Sequence, residues 1–233
     1  LAGLTDAQRQ ATQQLALDKY IPGRAPQLEF VKKYQPDVLT FTGGGNDVGF
    51  ADILRYCASS VETCGFVKGR TGTMHDDLMA SIDEQYGYTK RFLEQIKVAS
   101  PKTKIYVIGY PKFLYDESIC GLNAALLDPN ETALINEGVE RLNATLSRAA
   151  KDASASFLNI EEALRGGKIC EGSEYVTYFT SVGMRANDQQ VFHPNAKGHK
   201  KMAESILAAK KAADSGTGPQ VPVVIPVRPD HKL

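Results

Sequence analysis

The sequence lacks a charge excess of either sign, and it lacks a long apolar run. Lysine and arginine together number 27, as do aspartate and glutamate, so the formal net charge is zero. A basic excess that would favour nucleic acid or anionic lipid is therefore missing. The apolar stretch at residues 221–227 is interrupted by Pro222 and Pro226, whereas a membrane-spanning helix needs about 20 apolar residues. With 42% hydrophobic residues, the chain is typical of a soluble globular protein with a sizeable core.

Several signatures of cofactor and nucleophile chemistry are also missing. The glycine-rich stretches match neither the dinucleotide fingerprint nor the Gly-Lys-Ser/Thr ending of a phosphate loop. Their absence disfavours an intracellular flavodoxin-like binding module. No cysteine and histidine pairs stand at zinc-ligand spacing. The sequence has no Gly-x-Ser-x-Gly motif, and no serine directly follows a recognisable strand.

The two ends of the chain differ from its middle. Leu1 is not an initiator methionine, and no signal-peptide pattern follows it, so we expect a processed chain or part of a larger protein. Four of the eleven prolines fall within residues 215–233, which predicts an extended tail or linker there. We expect one domain over residues 1–214, followed by that tail.

Four cysteines, Cys57, Cys64, Cys120 and Cys170, allow three pairings. The residues alone leave two interpretations open. One is four buried thiols in a cytosolic protein, and the other is two disulfides in an oxidising compartment. Acceptor triplets beginning at Asn130 and Asn143 are compatible with secretion, but triplets of this kind also arise by chance.

Apolar periodicity predicts strands alternating with long helices. A capping box at Thr5 and Gln8 predicts the start of the first helix. The predicted helices cover residues 6–18, 26–34, 50–56, 75–99, 131–152 and 195–213, and the predicted strands cover residues 37–41, 104–109 and 156–160. A polar loop is predicted over residues 58–73. This alternation indicates a parallel sheet with helical crossovers.

A glycine-rich loop, Thr-Gly-Gly-Gly-Asn-Asp at residues 42–47, directly follows the first predicted strand. Ligands of parallel α/β sheets bind beyond the carboxyl ends of the strands, so the loop is well placed for a site. Glycines allow close approach of a substrate, and Asn46 offers an amide donor for an oxyanion. The alternative interpretation is a tight turn with Asp47 as a helix N-cap.

A second motif, Val-Phe-His-Pro-Asn-Ala-Lys-Gly-His at residues 191–199, precedes the last helix. His193 lies before a proline in a predicted loop, where an imidazole is suited to general-base catalysis. The alternative is a surface histidine without a catalytic role. His199 lies on the helix and is interpreted as structural.

The two motifs together resemble the SGNH (GDSL-type) hydrolase family. The matching residues are Gly-Gly-Asn-Asp at 44–47 after a strand and His-Pro-Asn at 193–195 before a helix. Gly-Phe-Ala-Asp at 49–52, Val-Ile-Gly-Tyr-Pro at 107–111 and the cysteines are similar to secreted, disulfide-bearing members, and the similarity covers about residues 1–212. The resemblance implies a three-layer α/β/α sandwich with a flavodoxin-like parallel sheet.

The resemblance also implies ester hydrolysis by a serine nucleophile, without a metal or an organic cofactor. Asn46 matches the side-chain donor of the oxyanion hole, and Gly3 is matched to the glycine whose backbone N–H is another donor. His193 matches the catalytic base. The implied substrate is a lipid, an acylated carbohydrate or a small acyl ester. With the short loop between the first two cysteines, the resemblance predicts disulfides Cys57–Cys64 and Cys120–Cys170 in a secreted protein.

The sequence departs from the family pattern at two places. Gln190 stands where an aspartate often precedes the histidine by three residues, so Asp188 is the candidate triad acid, with a backbone carbonyl as the alternative. The Gly-Asp-Ser block of the first strand is missing. We expect its serine upstream of Leu1, supplied by an upstream segment or chain. The Asp-Ser-Gly sequence that contains Ser215 is superficially similar to the missing block, but it follows a helix and no strand. A non-catalytic domain that binds carbohydrate or a protein partner is the alternative function.

Overall fold

Helices alternate with three short strands along the chain. The computed structural model describes residues 4–59, 63–115, 127–172, 174–177 and 192–217. The helices are α1 (Asp6–Lys19), α2 (Gln27–Tyr34), α3 (Phe50–Ser59), α4 (Met74–Ala99), α5 (Pro129–Asp152) and α6 (Ala196–Asp214), and the strands are β1 (Val38–Phe41), β2 (Lys104–Ile108) and β3 (Ser156–Leu158). The predicted order of elements is therefore confirmed.

The three strands form a parallel sheet in the order β1-β2-β3. Strand β2 is central, with Phe41 opposite Val107 on one side and Leu158 opposite Ile108 on the other. The prediction that the third strand continues to Ile160 is wrong. The pairing ends at Leu158 because β2 itself ends at Ile108, and Ile160 is buried in the turn that follows.

Helices cover both faces of the central strand. Side chains of a strand alternate between the two faces of a sheet, and Ile105 and Val107 belong to the main hydrophobic core, which they share with apolar residues of α4 and α5. Tyr106 points the other way, where its hydroxyl bonds Asp214 and the Lys210 ammonium lies 5.0 Å from its ring centre, both on α6. The architecture is the predicted three-layer α/β/α sandwich.

Strand β1 has β2 on one side and no further strand beside it among the residues that the structure describes. Its two faces differ. Leu39 and Phe41 pack on the core, and the Phe41 and Phe92 ring centres are 4.9 Å apart. Val38 and Thr40, on the opposite face, are exposed, Val38 to 45%. One edge and one face of β1 are thus uncovered by described residues.

Side-chain caps define where the helices begin. The Thr5–Gln8 capping box is confirmed at α1, and similar boxes start α4 at Thr73 and α5 at Asp128. The predicted polar loop is shorter than expected, because α3 continues to Ser59 and a 3₁₀ turn occupies Cys64–Phe66.

The last described helix, α6, ends at Asp214, close to the predicted end of the domain. The predicted proline-rich tail lies almost entirely outside the described residues, so the domain boundary stays a prediction. None of the described helices is long and apolar enough to cross a membrane.

Candidate active site

The loop after β1 folds back on itself and leads directly into α3. Gly44 adopts a left-handed φ of 105°, which favours glycine. The Gly44 carbonyl accepts the Val48 N–H at 3.0 Å, and the Gly45 carbonyl accepts the Phe50 N–H at 3.1 Å. These bonds bury Gly44 and Gly45 and leave Asn46 exposed at the surface of the loop.

The side chains of Asn46 and Asp47 were predicted to have different roles in this loop. The Asn46 carboxamide forms no hydrogen bond with a described residue, so its N–H groups remain available to a ligand. The Asp47 side chain forms no capping hydrogen bond among the described residues, and α3 begins only at Phe50. The tight-turn interpretation is therefore right about the glycine backbone and wrong about the N-cap.

His193 lies in a segment that backbone hydrogen bonds to Thr177 hold in place. The Phe192 N–H donates to the Thr177 carbonyl, and the Thr177 N–H donates to the His193 carbonyl, both at 2.9 Å. Phe192 is held at a left-handed φ of 64°. A non-glycine residue in this conformation is strained, and such strain concentrates at functional sites.

Asn195 anchors the same segment to the start of α6. Its Oδ1 accepts the N–H groups of Lys197 and Gly198 at 2.9 and 3.1 Å, as an N-cap does. Its Nδ2 donates to the Glu174 carbonyl at 2.8 Å. The His-Pro-Asn sequence thus combines an exposed imidazole with a rigid helix start.

Asn46 and His193 line one pocket at the carboxyl end of β2, with a volume of about 400 Å³. The structure therefore brings together the two residues that the motifs singled out. The wall is mainly apolar, with side chains from α3, α5, α6 and the segments after β2, after β3 and before α6: Phe50, Ala51, Leu54, Phe113, Val139, Leu142, Leu164, Phe192, Met202 and Ile206. No serine belongs to this wall within the described part of the chain.

His199 and Tyr110 are among the pocket residues that were not identified as such from the sequence. His199 was interpreted as structural, yet it lines the pocket from α6. Tyr110 also lines it, and its hydroxyl accepts the Gly45 N–H at 3.1 Å. Burial raises the pKa of the Tyr110 phenol above its ordinary value, so the group is neutral at physiological pH. The Gly-Tyr-Pro sequence after β2 was the available signal for Tyr110.

Some predicted residues lie outside the described part of the chain. These are Gly3, Asp188 and Cys120, whose roles stay predictions. Ser215 is described, and its hydroxyl donates to the Ala212 carbonyl at 3.1 Å. It follows the last turn of α6, about 13 Å along the helix axis from Ile206 at the pocket wall. Ser215 is therefore not placed to act with His193.

A disulfide fixes the far end of α3. Cys57 and Cys64 are bonded and completely buried, which confirms the first predicted pairing. Cys170 is also disulfide-bonded, whereas its predicted partner Cys120 is not described. Glu131 lies close to Cys57 and Cys64 in the arrangement of a possible metal site. The two sulfurs are bonded to each other and the Glu131 Oε1 accepts the Cys64 N–H at 3.1 Å, so the group does not fit a metal.

Replacing both Cys57 and Cys64 by serine is expected to lower the free energy of unfolding by about 2–4 kcal/mol, because the cross-link restricts the unfolded chain. Urea denaturation of the variant and the parent, each with and without reductant, measures the difference. Alkylation of the unreduced parent should label neither cysteine in mass spectrometry. Labelling of all four cysteines would contradict both predicted pairings.

Comparisons with known proteins agree with the geometry. The sequence pattern described as the GDSL-like lipase/acylhydrolase family matches residues 8–201. A lipase of Streptomyces rimosus is 27% identical over 168 residues, which cover 71% of this chain and 57% of that protein. An esterase of Streptomyces scabiei is 22% identical over 222 residues, covering 79% of this chain and 62% of the esterase. The chain thus spans somewhat more than half the length of these relatives.

Solved structures show the same fold. Phospholipase A1 from Streptomyces albidoflavus NA297 has a TM-score of 0.55 and 20% identity, and the match covers 85% of this chain and 76% of the phospholipase. The extracellular lipase from Streptomyces rimosus also has a TM-score of 0.55, with 24% identity and coverage of 74% and 68%.

Proposed function

Since the match over residues 8–201 shows that this chain belongs to the GDSL-like lipase/acylhydrolase family, we propose that it forms the larger part of a carboxylic ester hydrolase. The observation that carries this proposal is the meeting of Asn46 and His193 in one pocket. An unpaired carboxamide and an exposed imidazole are the donor and the base that acyl transfer requires.

In the proposed reaction, His193 takes the proton from a serine hydroxyl as the serine oxygen attacks the ester carbonyl. The Asn46 carboxamide donates a hydrogen bond to the negative oxygen of the tetrahedral intermediate. The alkoxide then leaves with the proton from His193, and an acyl-enzyme remains. Water, deprotonated by His193, attacks the acyl carbon, and the serine recovers its proton when the acid leaves. Gly3 as a second donor and Asp188 as the acid behind His193 remain proposals.

The proposal assigns the nucleophile to a strand upstream of Leu1 that pairs with the free edge of β1. Two observations support it. No described residue of the pocket wall is a serine, and the outer edge of β1 has no partner strand among the described residues. A serine at the carboxyl end of a strand beside β1 would reach the same end of the sheet as Asn46.

The proposed substrate is an ester with an apolar acyl chain. The pocket wall is mainly aliphatic and aromatic, and burial of each methylene of an acyl chain contributes about 0.8 kcal/mol. The relatives are a lipase, an esterase and a phospholipase A1, and all three names denote hydrolases of acyl esters.

Ala51→Phe tests both the reaction and the pocket in the full-length protein. Ala51 lines the pocket from α3, so the larger ring is expected to lower kcat/KM for a long-chain p-nitrophenyl ester by about 10-fold or more, and to change hydrolysis of the acetate ester little. The matched control is Ala208→Phe, the same change at an exposed position of α6 outside the pocket. Equal losses for both esters would contradict the pocket assignment, and an inactive parent would overturn the proposed reaction.

Secretion is also proposed. The completely buried Cys57–Cys64 disulfide is of a kind that persists in oxidising compartments. One structural relative is an extracellular lipase. Detection of the protein in the culture medium with its disulfides intact is the expected result.

A further inference from the structure

Tyr110 connects the core of the protein to the loop that carries Asn46. It follows β2 and is held by the side chain of Asn143, which projects from α5 and is only 3% exposed. The Tyr110 N–H donates to Asn143 Oδ1 at 2.7 Å, and Asn143 Nδ2 donates to the Tyr110 carbonyl at 2.8 Å. The side-chain amide of Asn143 thus forms hydrogen bonds with both the N–H and the carbonyl of Tyr110, as the backbone of a neighbouring strand would.

Gly109 permits this close approach. A Cβ atom at position 109 would lie 2.9 Å from Asn143 Oδ1 and 2.7 Å from the Phe157 ring. Both distances are shorter than a carbon atom tolerates. A glycine before Tyr110 therefore lets the chain after β2 pack directly against the Asn143 amide, and the backbone of Tyr110 has little freedom to move.

The fixed Tyr110 ring in turn holds the glycine-rich loop. Its hydroxyl accepts the Gly45 N–H at 3.1 Å, and a Cβ atom on Gly45 would lie 3.0 Å from the same oxygen. Gly45 is buried and immediately precedes Asn46. The hydrogen bond fixes the orientation of the Gly44–Gly45 peptide plane, one residue before Asn46, and so restrains the backbone that leads to the Asn46 side chain. In this buried setting, loss of the bond would leave a buried N–H unpaired.

We propose that Tyr110, anchored by Asn143, is a positioning residue that holds Asn46 in the geometry of an oxyanion donor. The role rests on the proposed ester hydrolysis. Donors act at full strength only when they are already aimed at the developing charge. A small displacement of Asn46 therefore reduces the stabilisation of the transition state more than it reduces the affinity for the substrate. Tyr110 acts through the Gly45 peptide, and no contact with the substrate is required.

Tyr110→Phe in the full-length protein tests this role with little disturbance of packing. We expect kcat for a p-nitrophenyl ester to fall about 10–100-fold, with KM changed less than about twofold, because only the alignment of a donor is lost. Tyr86→Phe is the matched control, since it removes a hydroxyl bond of 2.8 Å to Asp152 at the surface. It should change neither constant.

Two further measurements separate positioning from a purely structural role. Tyr110→Phe combined with Asn46→Ala should be no slower than Asn46→Ala alone, because the tyrosine acts only through Asn46. The Gly45 amide should exchange its hydrogen faster in Tyr110→Phe than in the parent or in Tyr86→Phe.

The outcomes distinguish this role from the proposed function itself. If the parent hydrolyses esters and Tyr110→Phe matches it, or if the two losses multiply in the double variant, the positioning role is overturned and the proposed function stands. A raised KM with unchanged kcat would make Tyr110 a substrate contact and would also overturn it. If the parent hydrolyses no ester, the proposed function fails first and the positioning role with it.

Discussion

Replacing His193 by alanine is expected to abolish ester hydrolysis by the full-length protein while leaving it folded. Without the base, the serine hydroxyl keeps its proton and the leaving alkoxide receives none, so kcat should fall by about 10⁴-fold or more. The side chain is exposed and the segment is held by backbone bonds to Thr177, so the fold does not depend on the imidazole. Steady-state kinetics measure the loss of activity, and a urea unfolding curve measures whether the variant is as stable as the parent.

His199→Ala is the control for the loss of an imidazole at the same pocket. His199 is exposed and lines the pocket from α6, six residues after His193 in the sequence. Its replacement should leave kcat within about threefold of the parent, since no proton transfer is assigned to it. If His199→Ala were the inactive variant and His193→Ala retained activity, the roles of the two histidines would be reversed.

The arrangement of the fold follows closely from local sequence patterns. Each long helix shows apolar residues at helical spacing, and the capping box at Thr5 marks a helix start that the structure contains. Strands β1 and β2 are short, largely apolar runs that are each followed within two residues by glycine, whereas β3 has neither glycine nor proline beside it. Since ligands of parallel α/β sheets bind beyond the carboxyl ends of the strands, the position of Asn46 after β1, taken together with the His-Pro-Asn motif, predicted a site there. The His-Pro-Asn sequence supplies two further residues of the same pocket, His193 and Pro194.

The rest of the site depends on contacts between distant segments, which no local pattern reports. Tyr110 reaches Gly45 because Asn143 of α5 holds its backbone, and this requires the packing of three elements. Asn143 also illustrates how a pattern can mislead. Its acceptor triplet is compatible with glycosylation, yet the residue is buried and its Nδ2 is bonded to the Tyr110 carbonyl.

The pocket wall was equally hidden in the sequence. Ala51, Leu142 and Met202 come from three different helices and meet only in the folded protein. In each helix, an apolar residue at this spacing is equally typical of a core position. The sequence therefore predicted where a pocket would lie and two of its polar residues, Asn46 and His193, and the structure was needed to show that the pocket wall is mainly apolar.

A polypeptide of residues 1–233 alone is expected to hydrolyse no short acyl ester, and the same polypeptide extended by its native upstream strand is expected to be active. The described pocket wall holds Asn46 and His193, the proposed donor and base, but no serine. The outer edge of β1 is unpaired among the described residues, and Val38 and Thr40 are exposed beside it. An unpaired, partly apolar edge is a template for another strand, so the upstream segment should both cover β1 and deliver the nucleophile.

The control is the extended polypeptide with the upstream serine replaced by alanine. Both extended polypeptides should unfold at a higher urea concentration than residues 1–233 alone, because the upstream strand pairs with β1 in each. The serine-to-alanine variant should nevertheless be inactive, and a fluorophosphonate, which labels nucleophilic serines, should not label it. The two effects of the extension, on stability and on chemistry, are thereby separated. Turnover by residues 1–233 alone that a serine-directed inhibitor blocks would contradict the prediction. The nucleophile would then be a serine of this chain, which the residue labelled by the inhibitor would identify.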